Sequence, residues 1–364
     1  MKFSITHIRN WYARNERRVS SVSLFGGFVF NALTLKRVDF FWENFWVVIH
    51  LLVVALCIIL INRNENNPQA EKDPGRFHFW LITIVQFFFG GLLSTYIVFY
   101  FRSTTFSVTW PFLFLLAIAF LANESLRKHS TRLTFQISLF FLSVLSFAIF
   151  IVPVFFHKIG DGVFIVSGIA SLVILMFFLY GLRSFARERF KKNKRWLAFS
   201  IVTIFTLVNV LYFSNLIPPI PLSLKDGAIY HEVVKDGNGN YLVRDEVRGW
   251  LDYFKIHQSI HVLPGDVLYA YSAIFSPALF NTDIIHEWQL YDESSQSWIT
   301  TNQVILSALG GREGGFRTYS KKSGITPGKW RVNVETRKGQ VIGRLQFNVS
   351  VVGEEPVLTQ KIQE

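Results

Sequence analysis

The chain has 364 residues, of which 51% are hydrophobic, 16% aromatic and only 17% charged. Charged residues make up about a quarter of an ordinary soluble domain, so this composition excludes a single water-soluble globule and calls for lipid. The net charge of +12 does not mark a nucleic-acid partner: residues 1–216 hold 22 Lys/Arg against 9 Asp/Glu, residues 217–364 hold 15 against 16, and the basic excess falls between apolar runs rather than on a soluble face.

Met1 to Ser20 is polar and basic, interrupted by Trp11 and Tyr12, and does not read as a cleavable signal peptide. Ile8, Trp11, Tyr12 and Asn15 recur at helical spacing among arginines. The segment is either a basic anchor for the first helix, the commoner case, or a helix lying on anionic cytoplasmic lipid.

Crossing roughly 30 Å of hydrocarbon takes about 20 helical residues. Seven runs approach that length: Val19–Leu35, Phe40–Ile61, Phe77–Phe101, Phe106–Ala122, Leu133–Phe156, Val163–Leu182 and Trp196–Leu216, the first and fourth being short. They are apolar on every face, whereas strands of a membrane barrel would alternate, and backbone in lipid must satisfy its own hydrogen bonds. Helices are therefore expected. Gly26-Gly27, Gly90-Gly91 and the Ser167/Ser171 pair offer small surfaces for close helix packing.

The N-terminal tail and the second, fourth and sixth loops carry 18 Lys/Arg, seven of them between Arg183 and Arg195; the alternate loops carry 4 (Lys36, Arg37, Arg102 and Lys158). The bias puts the first set in the cytoplasm and sends the last helix outward. Cys57 is the only cysteine and lies in an apolar run, so an outer domain has to be stable without disulfides.

Pro218, Pro219 and Pro221 stop the last helix. Beyond them the period changes to two. Trp330, Val332 and Val334 alternate with Arg331, Asn333 and Glu335, while Gly343, Leu345, Phe347 and Val349 alternate with Arg344, Gln346 and Asn348. A two-residue turn at Lys338-Gly339 would pair Val334 with Gly343, Val332 with Leu345 and Trp330 with Phe347 on a buried face, leaving Asn333 and Arg344 on a solvated one. Further strands are expected at Ala228–Val234, Tyr241–Arg244, Trp250–His257, Val267–Phe275, Ile284–Tyr291, Gln303–Ala308 and Phe316–Lys321, about eight or nine in all. The architecture expected is an α-helical multi-pass bundle of about seven helices followed by an all-β, immunoglobulin-like sandwich. Its parts are a basic cytoplasmic tail (1–18), a transmembrane domain (19–216), a Pro-rich connector (217–225), a periplasmic β domain (226–350) and a C-terminal tail (351–364).

Trp288, the Arg317 to Lys322 run, Pro327-Gly328-Lys329-Trp330-Arg331-Val332 and the closing Gly343-Arg344 with Phe347 resemble the bacterial family called domain of unknown function 2914. Ile217 to His231 and the helical region before it are similar to members in which this module follows a multi-helix membrane part. The family has no established activity, so the resemblance implies an architecture and a bacterial envelope setting, and no chemistry.

No Walker loop, dinucleotide fingerprint, zinc-protease helix or nucleophile elbow is present, and neither a cofactor, a metal nor catalytic residues are expected. Arg312, Arg317, Lys321 and Lys322, with Tyr319 interleaved, follow a glycine-rich loop and suit a carboxylate or phosphate; the commoner reading is a solvated strand face. Trp298, beside the polar run Asp292–Ser297, is the tryptophan expected to be exposed and available for stacking on a sugar. His50 lies in the second span with Glu43 two turns earlier, as intramembrane polar candidates. The expected function is a binding or scaffolding module at the bacterial inner membrane, with lipid and an envelope polymer or envelope protein as partners. A transporter or channel subunit is the alternative, and an envelope enzyme built from His231, His257, His261 and His286 the third.

Overall fold

A computed structural model describes residues 41–65, 76–102, 106–122, 132–217, 222–237, 240–247, 258–275, 281–309 and 316–363. It divides into two compact units, Met1–Arg102 with Trp110–Ser214, and Ser103–Thr109 with Asn215–Glu364.

The first unit is helical, α3 belonging to it from Trp110 onward: α1 Phe41–Glu65, α2 Arg76–Arg102, α3 Phe106–Ala122, α4 Arg132–Phe156, α5 Asp161–Phe185 and α6 Arg187–Phe213. Five of these are long and apolar enough to cross a membrane, and α3 has 17 residues with an apolar stretch Trp110–Phe120. The expected count of seven thus becomes six among the described residues, Val19–Leu35 lying outside them. The sixth loop is also not a loop. Helix α6 begins at Arg187, nine residues before the expected Trp196, because Arg, Lys and Glu are good helix formers. Only Ala186, at φ −136 and ψ 51, separates it from α5.

Aromatic rings pack the bundle: Phe150 of α4 lies against Tyr96, Phe99 and Tyr100 of α2, and Phe164 of α5 stacks on Tyr212 of α6 at 3.6 Å. Two of the expected small surfaces are used for close approach. Gly91 lies against His50, and Ser167 and Ser171 are buried with their hydroxyls donating to backbone carbonyls. Outward, α1, α5 and α6 expose Leu52, Ile169, Phe177, Phe199 and Phe213, the apolar exterior that lipid accommodates. At one end of the bundle a polar cluster joins four helices. Glu65 of α1 pairs with His78 of α2 (3.1 Å) and with Arg189 of α6; Arg189 donates to Asn62, which donates to Gln136 of α4 (3.0 Å). Asn62 and Gln136 are almost fully buried, and the bond between them offsets the cost of placing amide groups among packed helices.

The second unit is β-rich, with eleven strands among the described residues: β1 Ser223–Tyr230, β2 Glu232–Lys235, β3 Tyr241–Glu246, β4 Gln258–Val262, β5 Leu268–Phe275, β6 Asn281–Asp292, β7 Ser297–Leu309, β8 Phe316–Lys322, β9 Gly328–Thr336, β10 Val341–Val351 and β11 Leu358–Gln363. They form three sheets, β1-β5-β8, β4-β10-β9-β6-β7 and β11-β3-β2. The β1-β5-β8 sheet is covered on both faces. Leu268 and Ala270 of β5 join Trp288, Trp330, Val332 and Phe347 of the five-stranded sheet in one core, whereas Tyr271 and Ala273 join Val233, Tyr241 and Val243 of the β11-β3-β2 sheet in another. Alternation along β5 sends successive side chains into different cores.

Residues 351–364, expected as a tail, contain β11, which pairs antiparallel with β3. β1 starts inside the expected connector, whose residues 218–221 lie outside the described residues, as does the expected strand Trp250–His257. The β9-β10 register agrees with the sequence reading: Val334 faces Gly343, Val332 faces Leu345, Trp330 faces Phe347 and Asn333 faces Arg344. The turn does not. Thr336 N–H donates to Gln340 O (3.0 Å), so the loop has three residues, ending in Gly339 at φ +75, a conformation glycine adopts without strain. A bulge at Ile342 restores the register. Gly343 leaves room for Leu224 of β1, into which a Cβ would collide.

Candidate functional site

The outer face of the five-stranded sheet is polar and preassembled. Alternation turns Trp288, Trp330 and Phe347 inward and brings Glu287 and Gln289 of β6, Arg331, Asn333 and Glu335 of β9 and Arg344 of β10 side by side outward. Asn333 holds the centre. Its Nδ2 donates to Glu287 (3.1 Å) and Gln289 (3.3 Å), and its Oδ1 accepts from Arg344 Nε (2.7 Å). Arg331 Nε donates to Gln289 (2.6 Å), while Thr300 and Gln303 of β7 donate to Glu287. Asn333 is 4% exposed and Glu335 8%, so the solvated face expected from alternation is a correction: the long arginine arms cover it. At its end Arg331 stacks over the Trp298 ring at 4.2 Å, and Tyr291 meets Trp298 edge-on at 5.1 Å.

The charges of this face are shifted by their confinement. Burial, reinforced by the neighbouring Arg344, brings Arg331 down to about 10. Burial and the Glu287 carboxylate push Glu335 up to about 7, against the pull of Arg344. For Glu287 burial works upward, but hydrogen bonds from Thr300, Asn333 and Gln303 outweigh it and hold the carboxyl low. The face therefore presents fixed guanidinium groups beside one firmly ionised carboxylate and one that titrates near neutrality.

The basic residues expected to act together are divided. Arg317, Tyr319 and Lys321 stand on the face of β8 opposite Ala273, Tyr271 and Tyr269, Lys322 on the other face, and Arg312 lies outside the described residues. Tyr319 packs among Tyr241 and Tyr269. Trp298 is in a different sheet from Arg317, Tyr319, Lys321 and Lys322, and is partly covered by Arg331. In the helical unit His50 Nδ1 donates to Trp46 O (2.7 Å) and its ring meets Phe88 at 4.8 Å, a packing contact between α1 and α2; Glu43 lies in the first turn of α1.

Of the four histidines, His231 Nε2 and His261 Nδ1 both reach Glu246, at 3.0 and 2.8 Å, beside a cleft of about 250 Å³ lined by Glu232, Arg244, Asp266 and Tyr269. Among the described residues no group of three His, Cys, Asp or Glu is arranged to hold a metal ion. His286 is buried between Ser272 Oγ (2.8 Å) and Ser320 Oγ (2.9 Å), where burial brings it down to about 3, and Trp288 Nε1 donates to the same Ser320. His257 lies outside the described residues. Sequence reasoning put Asn333 and Arg344 on one face but missed Glu287 and Gln289 beside them, since the adjacency of β6 and β9 joins positions more than 40 residues apart.

No curated protein matches the chain. Among solved structures, a β-glucosidase from Listeria innocua in complex with gluconolactone is 12% identical over 30% of this chain, which spans 16% of that one, with a TM-score of 0.19. The alkylpurine DNA glycosylase AlkC of Pseudomonas fluorescens, bound to DNA containing an abasic site analog, is 8% identical over 87% of this chain and 99% of that one, with a TM-score of 0.23. Neither likeness carries an argument about fold or function. Residues 281–349, from the start of β6 into β10 and including every member of the polar face, match the family model described as protein of unknown function (DUF2914), and the C-terminal region of this chain carries a domain of that family.

Proposed function

We propose that this chain is an integral protein of a bacterial inner membrane whose β-rich domain stands on the periplasmic side and binds a polar polymer of the envelope through the outer face of its five-stranded sheet. The observation that carries the reading is the preassembled face itself: two guanidinium groups held through Nε, a titrating and an ionised carboxyl, and an Arg-capped tryptophan. Hydroxyl, amide and carboxylate groups of a glycan or peptidoglycan strand match such a set, and pre-ordering lowers the entropy cost of binding. The side of the membrane is supported by the 18 to 4 distribution of Lys and Arg between alternate loops.

An immunoglobulin-like sandwich is the fold reading that goes with it. The β1-β5-β8 sheet corresponds to strands A-B-E and the β4-β10-β9-β6-β7 sheet to A′-G-F-C-C′, with Trp288 as the buried tryptophan of strand C. No cysteine is present in this region, and His286 bridges the sheets instead.

The test is binding of the full chain, in nanodiscs, to purified peptidoglycan and to lipopolysaccharide. Arg331→Ala and Trp298→Ala should each weaken the productive interaction at least about tenfold, or about 1.4 kcal/mol, with Lys361→Ala unchanged. Equal binding by all three variants would remove the sheet face from consideration.

A further inference from the structure

The sheet edges of the β unit are unequal. Edge strand β4 has 5 residues and β2 has 4; β1, β8 and β11 are short and carry Lys225 and Asp226, Lys321 and Lys322, and Lys361. Short length and charge are the devices by which natural sheets keep their edges from pairing with another chain. β7 has neither. It runs 13 residues, Ser297–Leu309, without a single Lys, Arg, Asp, Glu or Pro, pairs among the described residues with β6 on one side only, and exposes Ile299 at 48% and Ile305 at 60%.

We propose that this edge is a homodimer interface, in which β7 pairs antiparallel with β7 of a second copy about a two-fold axis through Ile305. The register follows from the strand's own pattern. A bulge places Thr301 outside the β6 ladder, with Trp288 opposite Asn302 and Gln289 opposite Thr300, so the regular part of the edge is Asn302–Leu309. Ile305 sits near its middle. Centring the pair there sets Ile305 against its counterpart, Gln303 against Ser307 and Val304 against Leu306, and each partner falls on the same sheet face as the residue it meets. The two exposed isoleucines then cover each other.

A second copy is favoured over a foreign strand because the segment is self-complementary. An uncharged strand meets its own image with no like-charge opposition, and the pairing closes after two chains, as an isologous contact must. Confinement of both copies to one bilayer raises their effective concentration.

The experiment uses the full chain in nanodiscs large enough for two copies, with Cys57→Ser as background. Ile305→Cys should form a covalent homodimer under mild oxidation, since directly opposed Cβ atoms lie about 4.5–5.5 Å apart. Gln303→Cys alone should not, because its two copies stand about four residues, roughly 14 Å, apart along the strands. Chains carrying Gln303→Cys mixed with chains carrying Ser307→Cys should cross-link. Ile305→Lys should convert the dimer to a monomer by light scattering while leaving the circular dichroism unchanged. A monomeric native chain, cross-linking of Ile305→Cys no greater than that of Ile299→Cys, or capture of a different protein instead of a second copy would each overturn the proposal.

Discussion

Asn333 separates a solvated sheet face from a built one. Replacing it with alanine removes three hydrogen bonds, of which two involve charged partners, Arg344 at 2.7 Å and Glu287 at 3.1 Å, and one the neutral Gln289 at 3.3 Å. Hydrogen bonds to charged groups contribute about 1.5–3 kcal/mol and neutral ones about 0.5–1.5, and water reaching the half-exposed Arg344 recovers part of the loss. The expected cost is about 2–4 kcal/mol, against about 3–5 kcal/mol for Trp330→Ala in the core. Lys329→Ala, whose partner Glu293 is well exposed, should leave stability nearly unchanged. Urea unfolding of residues 215–364, followed by circular dichroism with constant m, measures all three. If Asn333→Ala shifts stability by less than about 0.5 kcal/mol, the outer face is hydrated and the network contributes nothing.

His286 and Glu335 should produce opposing pH dependences. His286 has a folded value of about 3 against 6.5, so the unfolded chain binds the extra proton and stability falls as pH drops below about 6.5; Glu335, at about 7 against 4.5, binds its proton in the folded state and gains stability over the same fall. The two offset between about pH 4.5 and 6.5, so Glu335→Gln should unmask a loss of about 1.4 kcal/mol per unit in acid titrations where the native domain stays nearly flat. Residues 215–356, which lack β11 and with it the Lys361–Asp245 ion pair and the Gln363 bond to Tyr230, should unfold at lower urea than residues 215–364; identical midpoints would make β11 an accessory. A reporter active only outside the cytoplasm should be active after Gln363 and silent near Asn193, and the reverse would invert the topology.

What could be read from the sequence follows the range of each interaction. Apolar length specified the helices, and alternation over Trp330–Val334 and Gly343–Phe347 specified a local hairpin down to its register. The same alternation misjudged Asn333, because it tells which way a side chain points and not how far the arms of Arg331 and Arg344 reach across it. β4 and β11 were missed for lack of a local signal: Gln258–Val262 and Leu358–Gln363 are ordered by pairing with distant strands. Arg317 and Lys322 were grouped by proximity in sequence, and alternation along β8 puts them on opposite faces of the strand.

The parallel pairing of β4 with β10 bears on how this domain folds. Gln258 lies opposite Phe347, 89 positions along the chain, while β9 and β10 close over a three-residue loop. The hairpin can form within microseconds, whereas the distant closure must first overcome loop entropy, and sheets dominated by such contacts fold in milliseconds to seconds. Through that interval β10 waits with one side open. A substitution that only slows the arrival of β4 would therefore reduce the yield of folded protein, through mispairing at β10, without lowering the stability of the molecules that finish.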